Sequence, residues 1–406
     1  MDKKLIWVWL SLLFREGNPI YKKLIEHFQD EQAIYDADDE EIDAIEWLKP
    51  HEKNALKLKG LKNAEDVLEW CYDREVNVLA YSDDEYPNSL RELEDFPAVL
   101  YYIGEFPDFD NELSISVVGT RTMSDYGQRM AFDLGYCLSK GGAITVSGFA
   151  RGIDNSVAQG TLSAFGRTVG FLACGIDINY PTSTKQTRDA AVLYGGAIIT
   201  ECPPNTPVLE GAFQSRNRLI SGISRGTVIV EANEISGARI TARHALEQGK
   251  PIFAVPGPAK MGKSDFPNEL IKEGKAKLVK NAIDIFKEFL EDFGNSIDLK
   301  SAKHRPRFSI ARFKDKDDLL EKKKKHQKEA AKSMKKVKEC FKEEDDESLS
   351  DEDKKIYASM EDGKLYSADE LVLLTGLSAS AVMSSMSILE IAGKITIIDG
   401  SNCMKI

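Results

Sequence analysis

The sequence predicts an α/β fold in which a doubly wound, mostly parallel sheet is covered by helices on both faces. Over roughly residues 113–290, short apolar runs alternate with amphipathic segments long enough for helices. Each run is apolar almost throughout, as in strands that are buried on both faces of a parallel sheet. The six runs span residues 115–118, 143–146, 168–172, 197–199, 227–230 and 252–255.

Residues 1–75 are predicted to form a helical domain ahead of the sheet. Apolar side chains recur there at helical spacing, and short polar turns separate the helices. The pattern then changes to strand-like runs at 76–81 and 99–104, which are bounded by Asp, Pro and Gly. We therefore place a domain border after residue 75 and assign residues 76–295 to the α/β domain.

Residues 296–353 are predicted to form a charged linker. Within them, residues 303–342 hold sixteen Lys or Arg against six Asp or Glu, and residues 343–353 hold eight acids. Blocks of like charge repel themselves and stay extended or form a solvated helix. We favour a solvated spacer in which the basic and acidic halves attract each other. The alternative is a segment whose basic half contacts DNA.

Residues 354–406 are predicted to form a winged helix-turn-helix domain. A serine and a glutamate at the ends of 367–370 have the spacing of a capping box. The runs 394–398 and 403–406 are expected to pair as a two-stranded wing. The third helix, 379–390, carries no Arg or Lys, which disfavours base reading. We therefore favour a protein-binding or purely structural role for this domain.

Composition restricts the class of protein. The six cysteines lie far apart, without a CxxC pair or a neighbouring histidine, which disfavours a disulfide framework or a metal site and fits a reducing cytosol. No apolar stretch reaches the roughly 18 residues of a membrane span, and the first apolar run has no small-residue cleavage pattern. We expect a cytoplasmic protein without a membrane segment or a bound metal.

The net charge of −12 means that any site for nucleic acid must be a local concentration of cations. Loops and helix N-termini meet at the carboxyl ends of parallel strands, where ligands bind. Taken singly, each loop there can be explained without a ligand. Its glycines would only permit tight turns, and its arginines would only pair with surface acids. The set as a whole favours an anion site. Its members are Gly119, Thr120, Arg121, Ser147, Gly148, Arg151, Arg216, Asn217 and Arg218.

Two aromatic residues accompany these loops, Phe213 and Tyr180. A basic groove with aromatic platforms is typical of sequence-independent binding to single strands, because every base has a π-face and stacking contributes about 1–3 kcal/mol per base. We expect Tyr180 to belong to the core. For Phe213 the sequence leaves a core role and a stacking role equally open.

The motifs of cofactor binding and of common catalytic sites are missing from the sequence. The chain has neither a GxGxxG motif nor a P-loop, which disfavours a dinucleotide cofactor and ATP hydrolysis. There is no HExxH motif, and no Ser-His-Asp order surrounds His244. Glu201 and Glu231 lie at strand ends, so a carboxylate-based hydrolase is an alternative without further support. We expect no cofactor and no enzyme activity.

Six motifs of the α/β domain resemble those of the DprA/Smf family of DNA-processing proteins. Their order and spacing match over roughly residues 80–290, which is far more specific than any single motif. The family often carries a helical SAM-like domain before its Rossmann-like domain and a winged helix after it, as predicted here. The motifs lie at 118–121, 147–154, 174–181, 216–220, 230–237 and 255–257.

The resemblance implies a protein that binds incoming single-stranded DNA during natural transformation, shields it from nucleases and helps to load the RecA recombinase. Such proteins act as dimers and hold DNA in a positively charged pocket of the Rossmann-like domain. The loop residues of the anion site would form that pocket, with Lys185 as a further cation and Phe213 as a stacking candidate. Arg121 and Arg218 are expected to hold phosphates, and Asn217 to position them.

Two positions depart from the family's pattern. Ala158 stands where the family commonly has a histidine, and residues 17–19 lack the glycine pair of a helix-hairpin-helix, which puts separate DNA binding by the N-terminal domain in doubt.

The main alternative function is a phosphoribohydrolase of the related lysine-decarboxylase-like family. The Pro-Gly-Gly-Gly-x-Gly-Thr-x-x-Glu loop of that family is missing. A structural scaffold would leave the loop arginines unexplained.

Overall fold

The structure, a computed structural model, describes two compact units, one up to residue 303 and one from residue 350 onward. Most of the predicted linker 296–353 and much of the predicted helix 379–390 lie outside the described residues. The described residues are 2–209, 211–233, 236–259, 262–303, 350–360, 365–378, 381–382, 385–386, 389, 395–397 and 402–405.

The first unit begins with six helices among its described residues. Asp2 caps the first helix by accepting the backbone N–H of Lys4 at 3.0 Å, and Asp38 and Glu41 form a capping box at the fourth. The helical character predicted for residues 1–75 agrees with these elements. They are α1 (Lys3–Leu13), α2 (Ile20–Phe28), α3 (Glu31–Asp36), α4 (Asp39–Ala44), α5 (Pro50–Leu56) and α6 (Lys62–Asp73).

Nine strands of the described residues form one sheet in the order β1-β2-β6-β5-β4-β3-β7-β8-β9. Strands β3 to β9 are parallel, while β2 pairs antiparallel with β6 and β1 antiparallel with β2. The strands are β1 (Asn77–Ala80), β2 (Val99–Gly104), β3 (Ser114–Val118), β4 (Ile144–Ser147), β5 (Thr168–Phe171), β6 (Ala197–Thr200), β7 (Gly226–Ile229), β8 (Ile252–Ala254) and β9 (Lys277–Leu278).

Helices cover both faces of this sheet. On β3, Ile115 packs in one cluster with Leu134, while Val118 packs in another with Leu219. Neighbouring residues of a strand point to opposite faces, so apolar runs are needed throughout. The predicted doubly wound fold is confirmed. The helices are α7 (Asn88–Arg91), α8 (Asp125–Lys140), α9 (Ile153–Ser163), α10 (Lys185–Leu193), α11 (Ala212–Ile223), α12 (Ala238–Glu247), α13 (Asp265–Lys272), α14 (Ala282–Phe286) and α15 (Leu290–Phe293), with 3₁₀ turns at Thr182–Thr184, Lys287–Phe289 and Ser301–Lys303.

The N-terminal helices share a core with the sheet. The ring of Trp7 in α1 is fully buried and lies 5.0 Å from that of Tyr81 and 6.0 Å from that of Phe96. Tyr81 and Phe96 belong to the segments that follow β1 and precede β2. The predicted border after residue 75 therefore separates two kinds of secondary structure inside one compact unit.

The second unit contains α16 (Asp351–Ser359), β10 (Leu365–Ser367), α17 (Ala368–Thr375), β11 (Ile395–Ile397) and β12 (Asn402–Lys405). Ser367 and Glu370 form the predicted capping box at the start of α17. β11 pairs antiparallel with β12, as predicted for the wing, and β10 adds a third strand on the other side of β12. Ile356, Leu371 and Cys403 lie in its core.

The described part of the chain contains neither a membrane-spanning helix nor a cluster of metal-binding side chains. No helix there is long and apolar enough to cross a membrane. The same residues hold no group of three or more His, Cys, Asp or Glu placed to bind a metal ion. Five cysteines in the described ranges are buried, namely Cys71, Cys137, Cys174, Cys202 and Cys403.

Candidate nucleic-acid interface

A pocket lies at the carboxyl ends of the parallel strands. The next strands in the sequence, β4 to β6, lie on one side of β3 in the sheet, and β7 to β9 lie on its other side. A ligand crevice is expected where the strand order reverses in this way. The loops after β3, β4 and β5 and the start of α11 surround a small pocket that is open to solvent. The lining consists of Arg121, Gly148, Ala150, Arg151, Leu172, Ala173, Cys174, Tyr180, Pro181, Phe213 and Arg216.

Three arginines bring positive charge to this lining, Arg121, Arg151 and Arg216, and the lining residues include no carboxylate. Arg121 and Arg151 are exposed. Across the described ranges, neither side chain has an ion-pair partner. The pocket is thus a local cationic site on a chain whose net charge is −12.

Arg216 is the buried cation of the lining, with 7% of its surface exposed. Its Nη1 donates to the backbone carbonyl of Gly148 at 3.2 Å and to that of Phe171, and its Nε donates to Oδ1 of Asn217 at 3.1 Å. A Cβ at Gly148 would lie 2.6 Å from Nη2, so the guanidinium needs glycine there. Burial lowers the pKa of Arg216 to about 10, and Asp154 opposes this shift. Arg216 therefore stays charged at neutral pH.

Two aromatic rings lie beside these cations. The guanidinium carbon of Arg121 lies 5.0 Å from the centroid of the Phe213 ring, within cation–π distance. The rings of Phe213 and Tyr180 are 5.9 Å apart and inclined at 55°. Both residues are half-buried. Tyr180 packs against the hydrophobic core, as expected, and its ring also lines the pocket beside that of Phe213.

Asp154 ties the loops after β3 and β4 together, a role that the sequence analysis did not assign. This buried carboxylate in the first turn of α9 accepts the backbone N–H of Gly148 at 2.9 Å, and the N–H groups of Gly119 and Ala150 lie near enough to favour its charged form. Burial raises the pKa of Asp154, against the opposing effects of Arg216 and these N–H groups. The sequence signal for this role was the position of Asp154 at the start of a helix, directly after the loop that follows β4.

Arg188 positions the loop that carries Tyr180 and was also missed. The buried guanidinium donates through Nη1 to the backbone carbonyls of Tyr180 and Pro181, at 2.8 and 3.2 Å, and through Nη2 to Oδ1 of Asn179. An arginine on α10 gives no sequence signal for this role, because surface helices commonly carry arginine.

Three predicted site residues shape the loops and do not line the pocket. A Cβ at Gly119 would lie 2.6 Å from Cγ1 of Ile153, so this glycine permits close packing. Oγ1 of Thr120 accepts the backbone N–H of Thr122 at 3.2 Å. The buried Oγ of Ser147 accepts the N–H of Phe149 at 3.3 Å.

Arg218 lies in the interior, away from the pocket, with 1% of its surface exposed. Its Nη1 and Nη2 donate to the two carboxylate oxygens of Glu201, both at 2.8 Å, in a bidentate pair. Its Nε and Nη2 donate to the backbone carbonyl of Asp95 at 3.0 and 2.6 Å. The expected phosphate contact at Arg218 is corrected to a structural role, because these partners use its donors.

Asn217 and Lys185 also differ from their expected roles. Nδ2 of Asn217 donates to the backbone carbonyl of Gly237 at 3.3 Å, and its Oδ1 holds Arg216, so it positions the arginine side chain. Nζ of Lys185 lies 2.6 Å from a carboxylate oxygen of Asp189, and Lys185 is not part of the lining. Of the predicted site residues, the structure brings Arg121, Gly148, Arg151, Phe213 and Arg216 together.

Comparison with known proteins agrees with this geometry. The family described as DNA recombination-mediator protein A matches residues 77–290, more than half of the chain. The DprA winged helix domain matches residues 342–401. The X-ray structure of DNA processing protein A from Streptococcus pneumoniae superimposes with a TM-score of 0.61 at 28% identity, covering 71% of this chain and 98% of that one.

Relatives in bacteria carry names of the same family. DNA processing protein DprA of Bacillus subtilis (strain 168) is 35% identical over 247 residues, which make up 59% of this chain and 82% of that protein. Protein Smf of Escherichia coli (strain K12) is 35% identical over 213 residues, 52% of this chain and 57% of that protein. From the matched motifs, the pocket and the fold, this chain belongs to the DprA/Smf family.

Proposed function

We propose that this chain binds single-stranded DNA in the pocket at the carboxyl ends of β3, β4 and β5. The observation that carries the proposal is the convergence of Arg121, Arg151 and Arg216 on the rings of Phe213 and Tyr180, in a lining without a carboxylate. Guanidinium groups bind phosphate, and aromatic faces stack on bases of any sequence.

The proposed preference for single strands follows from the aromatic platform. A duplex buries its base faces in its own stack, whereas a single strand offers them to Phe213 and Tyr180. The arginines contact the backbone, which is the same for every sequence, so binding is expected to be sequence-independent and sensitive to salt.

We propose a non-catalytic role for this pocket. Its lining holds one side chain that could act as a nucleophile, the thiol of Cys174. Burial raises the pKa of that thiol, so it stays protonated and unreactive at neutral pH. As the family resemblance implies, the bound strand would be protected from nucleases and handed to the RecA recombinase in natural transformation, by a homodimer in the cytoplasm.

Fluorescence anisotropy tests the DNA proposal directly. A labelled single strand and a duplex of equal length are titrated with the full chain at several salt concentrations. We expect tighter binding of the single strand, with affinity that falls as salt rises. Absence of binding at low salt would contradict the proposal. Filament formation by RecA on the same strand, with and without the chain, tests the mediator role separately.

Arg121→Ala is the matched test of the pocket. We expect at least about a tenfold loss of affinity and a shallower salt dependence, by about 0.7 in the log–log slope for each phosphate that the variant no longer neutralises. Lys185→Ala is the control, since its amine pairs with Asp189 outside the lining. Equal effects of the two substitutions would place the DNA elsewhere.

A further inference from the structure

Helix α8, which follows β3, begins beside the buried carboxylate of Glu231. Glu231 follows β7 and has 2% of its surface exposed. Its Oε2 accepts the backbone N–H of Ser124 at 2.9 Å, and its Oε1 accepts the Ser124 hydroxyl. Ser124 in turn caps α8 by accepting the N–H of Gly127 at 3.1 Å. The carboxylate therefore occupies the N-terminus of α8.

Gly127 leaves the space that this carboxylate fills. A Cβ at Gly127 would lie 2.2 Å from Oε2 of Glu231. Within the described ranges, no Lys, Arg or His forms an ion pair with Glu231. A buried carboxylate is costly unless donors or charges compensate it. Here Ser124 and the positive end of α8 provide that compensation.

A second carboxylate fills the start of the next helix. Asp154, in the first turn of α9, accepts the backbone N–H of Gly148, and the N–H groups of Gly119 and Ala150 favour its charged form. In doubly wound proteins that bind dinucleotides, the phosphates lie at such helix starts and use such N–H groups. Both positions are taken here by the chain's own carboxylates.

We propose that Glu231 and Asp154 are internal anions that exclude the phosphates of free nucleotides and dinucleotides from the two helix N-termini. The inference refines the proposed DNA-binding function. Phosphate is then bound only by the guanidinium groups of the lining, whose interactions with a single phosphate are weak in salt. A strand, which offers several phosphates and bases at once, benefits from linked interactions that a mononucleotide cannot make. Glu231 is thereby a specificity-determining residue.

Two variants of Glu231 separate occupancy from charge. Glu231→Ala removes the carboxylate and empties the N-terminus of α8, whereas Glu231→Gln removes the charge and keeps the space filled. ADP is the probe, and its binding to the full chain is measured by equilibrium dialysis. We expect Glu231→Ala to bind ADP at least about tenfold more tightly than wild type, a difference readily resolved. Glu231→Gln is expected to match wild type.

Thermal melting gives a second readout that does not depend on ADP. Glu231→Ala is expected to melt at a lower temperature than wild type in chloride and to regain much of the loss in phosphate of equal ionic strength. Wild type is expected to show no such preference for phosphate. Loss of stability without recovery in phosphate, in a variant that also fails to bind ADP, would overturn the proposal.

Wild-type protein decides the matter even if Glu231→Ala does not fold. Saturable ADP binding by wild type, as tight as its binding to the oligonucleotide, contradicts exclusion, and absence of ADP binding supports it. The oligonucleotide titration is read on the same samples. A chain that excludes ADP and yet fails to bind single strands refutes the proposed function and leaves the exclusion of nucleotides intact.

Discussion

At the scale of single residues, two arginines of α11 show how position on a helix decides a role. Arg216 and Arg218 are separated by about 200° around the helix, because each residue advances by about 100°. Arg216 therefore faces the pocket, while Arg218 faces the interior and Glu201. The sequence placed both in one loop motif but did not show which side of α11 meets the sheet. The functional assignment of Arg218 failed for that reason.

Arg218→Ala is expected to lower the free energy of unfolding by about 3–5 kcal/mol, because Glu201 would stay buried without its bidentate partner. Urea denaturation measures the change. Arg243→Ala is the control, since Arg243 lies 3.7 Å from Glu247 on the exposed face of α12, where an ion pair contributes about 0–1 kcal/mol. If the Arg218→Ala protein kept its stability but no longer bound DNA, the phosphate contact first expected for Arg218 would be supported.

At the scale of elements, the loop after β4 is fixed to the sheet by one ring. Phe149 adopts a left-handed φ of 46° and is fully buried. Its ring lies where a side chain on Gly170 of β5 would be, since a Cβ there would be 1.7 Å from Cδ2. The neighbouring loop residues Gly148 and Arg151 line the pocket. The packing of this ring therefore sets the position of one pocket wall.

Gly170→Ala is expected to destabilise the protein by about 1–3 kcal/mol through overpacking, and to weaken binding of single strands by displacing the loop after β4. Thermal melting and anisotropy measure the two effects. Gly60→Ala is the matched control, because no atom lies within 4 Å of the added Cβ. A Gly170→Ala protein that equals this control in both measurements would show that the ring can move without cost.

Most strands of the sheet could be predicted because burial on both faces requires unbroken apolar runs. β9 could not, since its two residues, Lys277 and Leu278, are exposed and too few to form a pattern. At the site, loop positions after strands predicted Arg121 and Arg151, and the segment before a later strand predicted Arg216. The structural roles of Asp154 and Arg188 depend on which loops meet in space, and sequence spacing does not contain that information.

At the scale of the whole unit, helices and sheet are joined by a core of aromatic rings around Trp7. Trp7→Ala is expected to lower the stability of the entire unit by about 3–5 kcal/mol, seen as a shift of the main melting transition by circular dichroism. Trp47→Ala, at a ring that is 37% exposed, is the control with a small effect. Melting of the helices alone, with the sheet unchanged, would support the border after residue 75 as a true domain boundary.

The guanidinium of Arg121 contacts the ring of Phe213 in the free protein, with its carbon 5.0 Å from the ring centroid. Immobilising a long side chain during binding costs about 0.5–1.5 kcal/mol, and a ring contact made before binding reduces that cost for Arg121. An encounter with DNA then needs little rearrangement of this wall. We infer that substitutions in the pocket change the residence time of the strand far more than the rate at which it is captured.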